Sequence, residues 1–366
     1  MNLAIVLPRG MHFSPNGATS IDLVAHDLLV KSRYRDTACV IGREVPDPFH
    51  DVPFEPVSAK DFVKGAVQVL KVRKPDLIVV HQHPESAAKI ARALPATPVV
   101  LHRHGLMRHK RGLLSRWRKG RALKPLAAAI FVSDFIRSDF LDAHPATGLS
   151  TLVVPNGVDG SYWAPAKDKR QVIAFAGRAR ADKGLEPLLD AFLAIKPPGW
   201  QLNLMLVVQT PEEQAFFSRL AARVPDDAAV QIDKNLAFPE VRQRFAETRI
   251  AALPSIVAEG FPRAVVEAMA CGCAVVTTTR GGTPEAAGDA AILVDASSTS
   301  KMEIGIAMAL TNLTSDANML ENYARAARNR FEQHLEIGAV SNMYDHALTQ
   351  ILTAQTTVAI EKGIPS

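Results

Sequence analysis

The chain is short of cysteine, of aromatic side chains and of long apolar runs. Among its 366 residues are three cysteines, Cys39, Cys271 and Cys273, and aromatics make up 6%. Three thiols cannot supply the paired framework of a small disulfide-stapled scaffold. Cys271 and Cys273 stand too close together for the usual zinc spacing, and no second Cys or His pair lies near them in sequence. Buried, reduced thiols in a cytosolic protein are the expectation. No stretch approaches the roughly 20 apolar residues of a membrane span. The opening MNLAIVLPRG lacks the basic and long apolar regions of a signal peptide and reads as a first buried strand.

Acidic residues are missing from one whole segment. Between Glu85 and Asp134 there is none, while Arg103, Arg108, Lys110, Arg111, Arg116, Arg118, Lys119, Arg121 and Lys124 all fall there. The net charge of +5 and the pI of about 9.1 are therefore unevenly placed. A block of this kind suits an anionic partner. Few aromatics surround it and no nucleic-acid motif appears, which argues against nucleic acid. An anionic membrane surface met through residues 103–124, or a phosphorylated glycolipid, fits better. A solvated basic helix face would look the same in sequence.

What is present is a regular alternation. Apolar runs read as strands at Leu3–Leu7, Ala38–Ile41, Leu77–Val80, Val99–His102, Ala129–Val132 and Leu152–Val154. They recur at Val172–Ala176, Leu202–Val208, Val230–Ile232, Ile250–Leu253, Ala274–Thr277 and Ala291–Val294. Helical spacing separates them, as at Ile21–Ser32, Ala59–Arg73, Glu85–Ala93, Gly184–Ile195 and Pro211–Val224. Near-continuous apolar strands alternating with helices predict α/β architecture with parallel sheets covered on both faces. A turn at Pro155-Asn156-Gly157 and the aperiodic stretch DGSYWAPAKDKR place a seam near residue 158, before a fresh strand begins. Three segments follow: 1–158, 159–335, and a C-terminal helix and tail at 336–366 that is expected to pack back towards the first. Residues 300–352 read as helical and the last dozen as a loose tail.

The densest chemistry lies in 254–285, PSIVAEGFPRAVVEAMACGCAVVTTTRGGTPE. Glu259 precedes a Gly260-Phe261-Pro262 turn, and Glu267 falls one turn into a helix starting near Arg263. Gly281-Gly282 and Glu285 come after the next strand. Fixed carboxylates beside free backbone amides can grip sugar hydroxyls and leave N–H groups for phosphates. Upstream, Arg178 and Lys183 bracket a strand-to-helix loop that begins at Gly177, and both can reach one diphosphate. Taken alone, each of these residues also serves as an ordinary solvated charge. In the first half, His81, His83, His102 and His104 form two His-x-His pairs at neighbouring strand ends. That pattern suits metal ligation, although a strand-end histidine is more often structural.

Together the pieces resemble the family 4 retaining glycosyltransferases of the GT-B fold. The matching segments are PNGVD at 155–159, GRARADKG at 177–184, PSIVAEGFPRAVVEAMACGCAVV at 254–276 and GGTPE at 281–285, in order and at the family spacing. The first half matches more loosely through its opening strand and loop, PDLIVVHQH at 75–83, VVLHRHG at 99–105 and VSDFIRSDF at 132–140.

The resemblance implies two Rossmann-like domains facing each other across a cleft. The N-terminal one would hold the acceptor and the C-terminal one the nucleotide-sugar. It implies that Arg178 and Lys183 bind the donor diphosphate and stabilise the leaving group, so that no metal or other cofactor is expected. Glu267 would hold the ribose. Glu259 would face the 3- and 4-hydroxyls of the transferred sugar, and Gly177, Gly260, Phe261 and Pro262 would line the donor pocket. Gly17 in the loop SPNGATS would approach the donor phosphates, with Ala18 where a second glycine is more usual. His104 would meet the reacting sugar, and His83, His102, Arg103 and Arg108 the acceptor. Base contacts are expected from Gln209–Glu213 and Asp233–Val241.

The reaction so implied is transfer of a sugar from a UDP-, GDP- or ADP-sugar to a hydroxyl, with retention at the anomeric carbon. The HQHPESAAKIAR and LHRHG segments resemble lipopolysaccharide and capsule transferases. A surface-glycan or lipid-linked acceptor, met at the inner face of the cytoplasmic membrane, is therefore expected. A non-hydrolysing sugar-nucleotide epimerase shares the two-lobed fold but would not carry the Glu259–Glu267 block with Arg178 and Lys183. A glycosyl phosphorylase would need a far longer chain. A non-catalytic sugar-nucleotide-binding protein would show affinity without turnover.

Overall fold

A computed structural model describes residues 1–107 and 112–361. The chain divides into two units, Met1–Gly157 with Ile337–Ser366, and Val158–Glu336. Unit 2 is thus inserted between the main body of unit 1 and its final helix.

Unit 1 runs β1 (Leu3–Val6), α1 (Ser20–Lys31), β2 (Ala38–Arg43), β3 (Phe54–Val57), α2 (Phe62–Arg73), β4 (Leu77–His81) and α3 (Pro84–Ala93). It continues with β5 (Val99–Arg103), α4 (Leu113–Ala122), β6 (Ala128–Phe131), α5 (Asp134–Ala143) and β7 (Ser150–Val153). Among the described residues these strands form one parallel sheet in the order β3-β2-β1-β4-β5-β6-β7. The strand residues of β1, β4 and β6 are buried throughout, as a sheet with covered faces requires.

Unit 2 begins with β8 (Arg170–Arg178), α6 (Leu185–Ile195), β9 (Gln201–Val207), α7 (Pro211–Ala221), β10 (Val230–Lys234) and α8 (Phe238–Glu247). It goes on through β11 (Thr248–Leu253), α9 (Arg263–Ala270), β12 (Ala274–Thr278), α10 (Thr283–Ala287), β13 (Ala291–Val294), α11 (Thr299–Ser315) and α12 (Ala317–Arg330). Its described strands pair in parallel in the order β10-β9-β8-β11-β12-β13. In both sheets the order reverses beside the unit's first strand. Ligands of doubly wound sheets bind outside the carboxyl ends of the strands at such a point.

The chain then enters α13 (Ile337–Glu361), which packs on α1 within unit 1. Ile337, Val340, Tyr344, Ala347, Leu348 and Ile351 join the apolar core formed by β1, β2, β4 and α1. Two polar clamps fix the register. Ser32 Oγ donates to Asp345 Oδ1 at 2.6 Å, and the Arg33 amide donates to Oδ2 at 2.9 Å. Ser341 Oγ donates to the Leu28 carbonyl, which α1 leaves without a helical partner near its end.

Two sequence expectations need correction. Helix α13 reaches Glu361, so it takes in part of the stretch read as a loose tail. Strand β3, FEPV, is absent from the strands read in sequence. It sits at the sheet edge beside β2, where Pro56 costs no ladder hydrogen bond on its free side.

Candidate functional site

Three loops converge at the carboxyl edge of the unit 2 sheet: those after β8, β11 and β12. Close backbone approach holds them together. The carbonyl of Asp182, in the β8 loop, accepts from the amides of Ile256 and Val257 at 2.9 and 3.2 Å. Gly184 adopts φ +71°, and a Cβ there would stand 2.0 Å from the Pro254 carbonyl oxygen. Gly281 adopts φ +63°, and a Cβ there would lie 2.5 Å from the carbonyl oxygen of Glu259. Only glycine fits either place. The amide of Gly282 then donates to that same Glu259 oxygen at 2.8 Å. The glycine pair therefore fixes the main chain that carries Glu259.

The charged side chains of this edge are paired. Lys183 Nζ donates to Glu259 Oε1 at 2.9 Å, with both side chains about a quarter exposed or less (21% and 26%). Arg178, the last residue of β8, places Nε 2.5 Å from Glu213 Oε1. Glu213 is buried at the first turn of α7, where Thr210 Oγ1 caps its amide and Gln209 donates its own amide to Oε2. Burial alone would raise this carboxyl, but the Gln209 amide and the Arg178 guanidinium outweigh it and hold its pKa below the usual range. Glu267 lies one turn into α9, buried, and its Oε1 is 3.3 Å from Arg263 Nε across one helical turn. Phe261 and Pro262 are buried at the start of the same helix, while Gly260 and Gly177 are partly exposed.

Unit 1 shows a different arrangement at its own carboxyl edge. His81 ends β4, and His102 is its register partner on β5. His104 follows two residues later. The three rings lie against one another, His81 and His104 stacked with centroids 4.9 Å apart, and His102 tilted to both, 4.8 Å from His81 and 4.3 Å from His104. His104 Nε2 and His81 Nδ1 are hydrogen bonded at 3.0 Å, and the His104 amide donates to Gln82 Oε1. Burial lowers the pKa of His81 to about 3. It also holds His102 and His104 well below the usual imidazole value, with the neighbouring rings adding to the effect. All three imidazoles are neutral at physiological pH.

The fourth histidine parts from the others. Gln82 has φ +66°, an unusual left-handed residue, and His83 emerges exposed at the N-cap of α3. His102 is 0% exposed beneath its neighbours, so the expectation that it touches an acceptor does not hold. Arg103 is buried, and its guanidinium donates to the carbonyls of Gln82 and Leu106, the latter at 2.6 Å. It ties two loops of unit 1 together, and burial lowers its pKa to about 10. Gly17 is exposed at φ +95° in the loop before α1. Arg108 lies outside the described residues, as do Lys110 and Arg111 of the basic block.

The rest of that block lies on or near α4. Gly120 faces the backbone of Ala146 and Thr147, where a Cβ would come within 2.9 Å. The other side presents Leu114, Trp117, Arg118 and Arg121, all exposed and at helical spacing, with Arg121 lying over the Trp117 ring at 4.6 Å.

Sequence reasoning missed two partners. Glu213 was seen only as part of a stretch for base contacts, and Arg263 was not singled out. The i,i+4 spacing of Arg263 and Glu267 was a usable signal. The Arg178–Glu213 pair joins residues 35 positions apart and had none.

Comparison with known proteins points to glycosyl transfer. Residues 20–162 match a family model described as Glycosyltransferase Family 4, and residues 170–312 match one described as Glycosyl transferases group 1. The chain is 28% identical over 288 residues to an α-maltose-1-phosphate synthase of Mycolicibacterium smegmatis, covering 69% of this chain and 73% of that protein. It is 26% identical over 231 residues to a lipopolysaccharide 1,2-N-acetylglucosaminetransferase of Salmonella typhimurium, covering 57% and 56%. In fold it is similar to Anabaena HepE in complex with UDP-glucose, with a TM-score of 0.77 at 19% identity, covering 95% of this chain and 99% of that one.

Proposed function

The chain belongs to the family 4 glycosyltransferases of GT-B fold, and from that premise we propose that it carries a sugar from a nucleotide-sugar donor to a hydroxyl of a glycan or glycolipid, with retention at the anomeric carbon. The observation that carries the donor half is the set of ion pairs Arg178–Glu213, Lys183–Glu259 and Arg263–Glu267 at one sheet edge.

Each pair is a cation held ready by a carboxylate. A diphosphate arriving at this edge draws Lys183 from the partly exposed Glu259, while Arg178 turns its other N–H groups to it and keeps Nε on the buried Glu213, so no buried charge is stranded. Departure of the nucleoside diphosphate builds negative charge on its outer phosphate. Two fixed cations aimed there lower the barrier, so the donor reaction runs on Arg178 and Lys183 rather than on a metal ion. Glu259, freed from Lys183, accepts from sugar hydroxyls, and Glu267, oriented by Arg263, accepts from the ribose. Gly177, Gly260, Phe261 and Pro262 line the donor pocket of unit 2. On the acceptor side, His104 has its Nε2 engaged by His81, which leaves Nδ1 to meet the sugar, and exposed His83 joins it. Front-side displacement, in which the departing phosphate oxygen takes the acceptor's proton, gives retention without an enzymic nucleophile.

For the acceptor, the exposed face of Leu114, Trp117, Arg118 and Arg121 supports an anionic membrane or lipid-linked saccharide. It combines an interfacial Trp and Leu with basic side chains. No described helix is long and apolar enough to cross a membrane. Likeness to an α-maltose-1-phosphate synthase favours a small phosphorylated saccharide as the second reading.

The test is transfer from a panel of UDP-, GDP- and ADP-sugars by wild type, Arg178→Ala and Lys183→Ala, each checked for fold by circular dichroism. Loss of turnover with the fold intact is expected, and normal turnover by either variant removes its assigned role. Flotation with anionic and neutral liposomes at low and high salt separates the two acceptor readings. Binding that ignores lipid charge and salt rules out the membrane face.

A further inference from the structure

The unit 1 histidines are more than the acceptor side of a transferase requires. His81 and His102 are 0% exposed. Three of their four ring nitrogens, His81 Nε2 and both nitrogens of His102, have no hydrogen-bond partner. Buried imidazole nitrogens are ordinarily bonded, and leaving one bare is costly. Among the described residues the cluster holds no carboxylate. The groups that act on the His102 and His104 rings are other histidines and Arg103. Packing alone would be served better by Leu or Phe at these positions. What the three neutral imidazoles supply is one ring nitrogen each in a common small volume, His81 Nδ1 and His104 Nε2 already being in contact.

We infer that His81, His102 and His104 form a binding site for a single borderline divalent cation of the Zn2+ class. One nitrogen from each ring lies within 4.8 Å of the other two. A tetrahedral ion with bonds of about 2.0–2.1 Å needs its ligand nitrogens about 3.4 Å apart. The His81–His104 pair is already at 3.0 Å, and the widest pair closes by up to about 1.4 Å through ring rotation. The backbone needs no rearrangement, because adjacent strands in register place His81 and His102 and the end of β5 places His104. Each imidazole stays neutral on binding. The hydrogen now shared between His81 Nδ1 and His104 Nε2 is replaced by the metal, and the ring that carried it keeps its proton on the other nitrogen. Three imidazoles and no thiolate select Zn2+, Cu2+ or Ni2+ over Mg2+ or Ca2+, and a fourth position stays open to an oxygen ligand.

The experiment is titration of chelator-stripped full-length protein with ZnCl2 against a chromogenic competitor, with no nucleotide-sugar present. It therefore reads metal binding independently of transfer. One ion per chain is expected. His102→Gln and His104→Gln should each weaken binding by about a hundredfold or more, while His83→Gln, outside the cluster, leaves it unchanged. His104 is only half-buried, so its variant decides the matter if His102→Gln does not fold. No zinc bound by wild type, or equal affinity in wild type and His104→Gln, overturns the assignment.

Discussion

The carboxyl edges of the two sheets share a topology and store their chemistry in opposite ways. In unit 2 the edge is ionic: Arg178, Lys183 and Arg263 each face a carboxylate. In unit 1 the histidine cluster is neutral: His81 and His102 are buried, His104 is half-buried, and the three rings lie against one another uncharged. The first arrangement suits an anion that arrives and leaves, since a paired cation can change partners at little cost. The second suits a site that stays put, since a desolvated lone pair gains nothing until a ligand reaches it. The same strand order thus serves exchange in one unit and retention in the other.

Changes at the ionic edge carry the largest expected effect. Lys183→Ala or Arg178→Ala should lower the transfer rate by about 10²–10³-fold, as loss of one preorganised transition-state contact does. A smaller loss would mean that the pairs are ornamental and that the edges differ less than their geometry implies.

Next is the clamp on α13. Asp345 is 1% exposed and accepts from Ser32 Oγ and the Arg33 amide. Asp345→Ala should cost unit 1 about 1–3 kcal/mol, read from urea unfolding, because the buried Ser32 hydroxyl and the part-buried Arg33 amide lose their acceptor. If unit 2 melts separately, its transition should not move.

Gly281→Ala tests the frame of the ionic edge. The added Cβ meets the Glu259 carbonyl in a left-handed backbone, and about 1–3 kcal/mol of destabilisation should follow. Gly10→Ala, with nothing within 4 Å, is the matched control and should be close to neutral.

The smallest effects concern pH, and they run in opposite directions. Glu213 has a depressed folded pKa, so its pairing stabilises above the unfolded value of 4.5 and is lost as pH falls through the folded one. The gap between wild type and Glu213→Gln should close on acidification. Arg178 is 41% exposed, so solvent keeps the gap to about 1 kcal/mol. In unit 1, burial lowers the His26 pKa, but hydrogen bonds to Asp27 and Asp51 outweigh it and the net shift is upward. Its contribution is present below 6.5 and lost as pH rises through the folded value. Asp51 is 43% exposed, so His26→Gln should cost a few tenths of a kcal/mol at pH 5.5 and less at pH 8.5. Denaturant midpoints at four pH values would check both signs.

Much of the fold was legible in sequence because its strands are apolar without interruption. Twelve strands announced themselves, whereas β3 did not, since edge position rather than composition admits Pro56. At the candidate site, Glu259, Glu267, Arg178 and Lys183 could be singled out by spacing alone. Their partners depended on distance in sequence: Arg263 lay within one helical turn of Glu267, while Glu213 reaches Arg178 only through the pairing of β8 with β9. The histidines show the limit most clearly. Two identical His-x-His pairs look equivalent, yet Gln82 turns into the left-handed region and sends His83 outward, while Arg103 between the other two keeps an extended strand. A backbone angle, invisible in the letters, separates three members of the cluster from the fourth.

The return of α13 to unit 1 has a consequence for biosynthesis. Unit 2 is one contiguous segment, Val158–Glu336, and holds everything its own core requires once translated. Unit 1 is made first but lacks Tyr344, Leu348 and Ile351 until the ribosome has passed them. The half translated earlier is therefore the half completed later. Its exposed groove beside α1 must stay soluble, or be shielded by a chaperone, for the time taken to translate some 180 intervening residues.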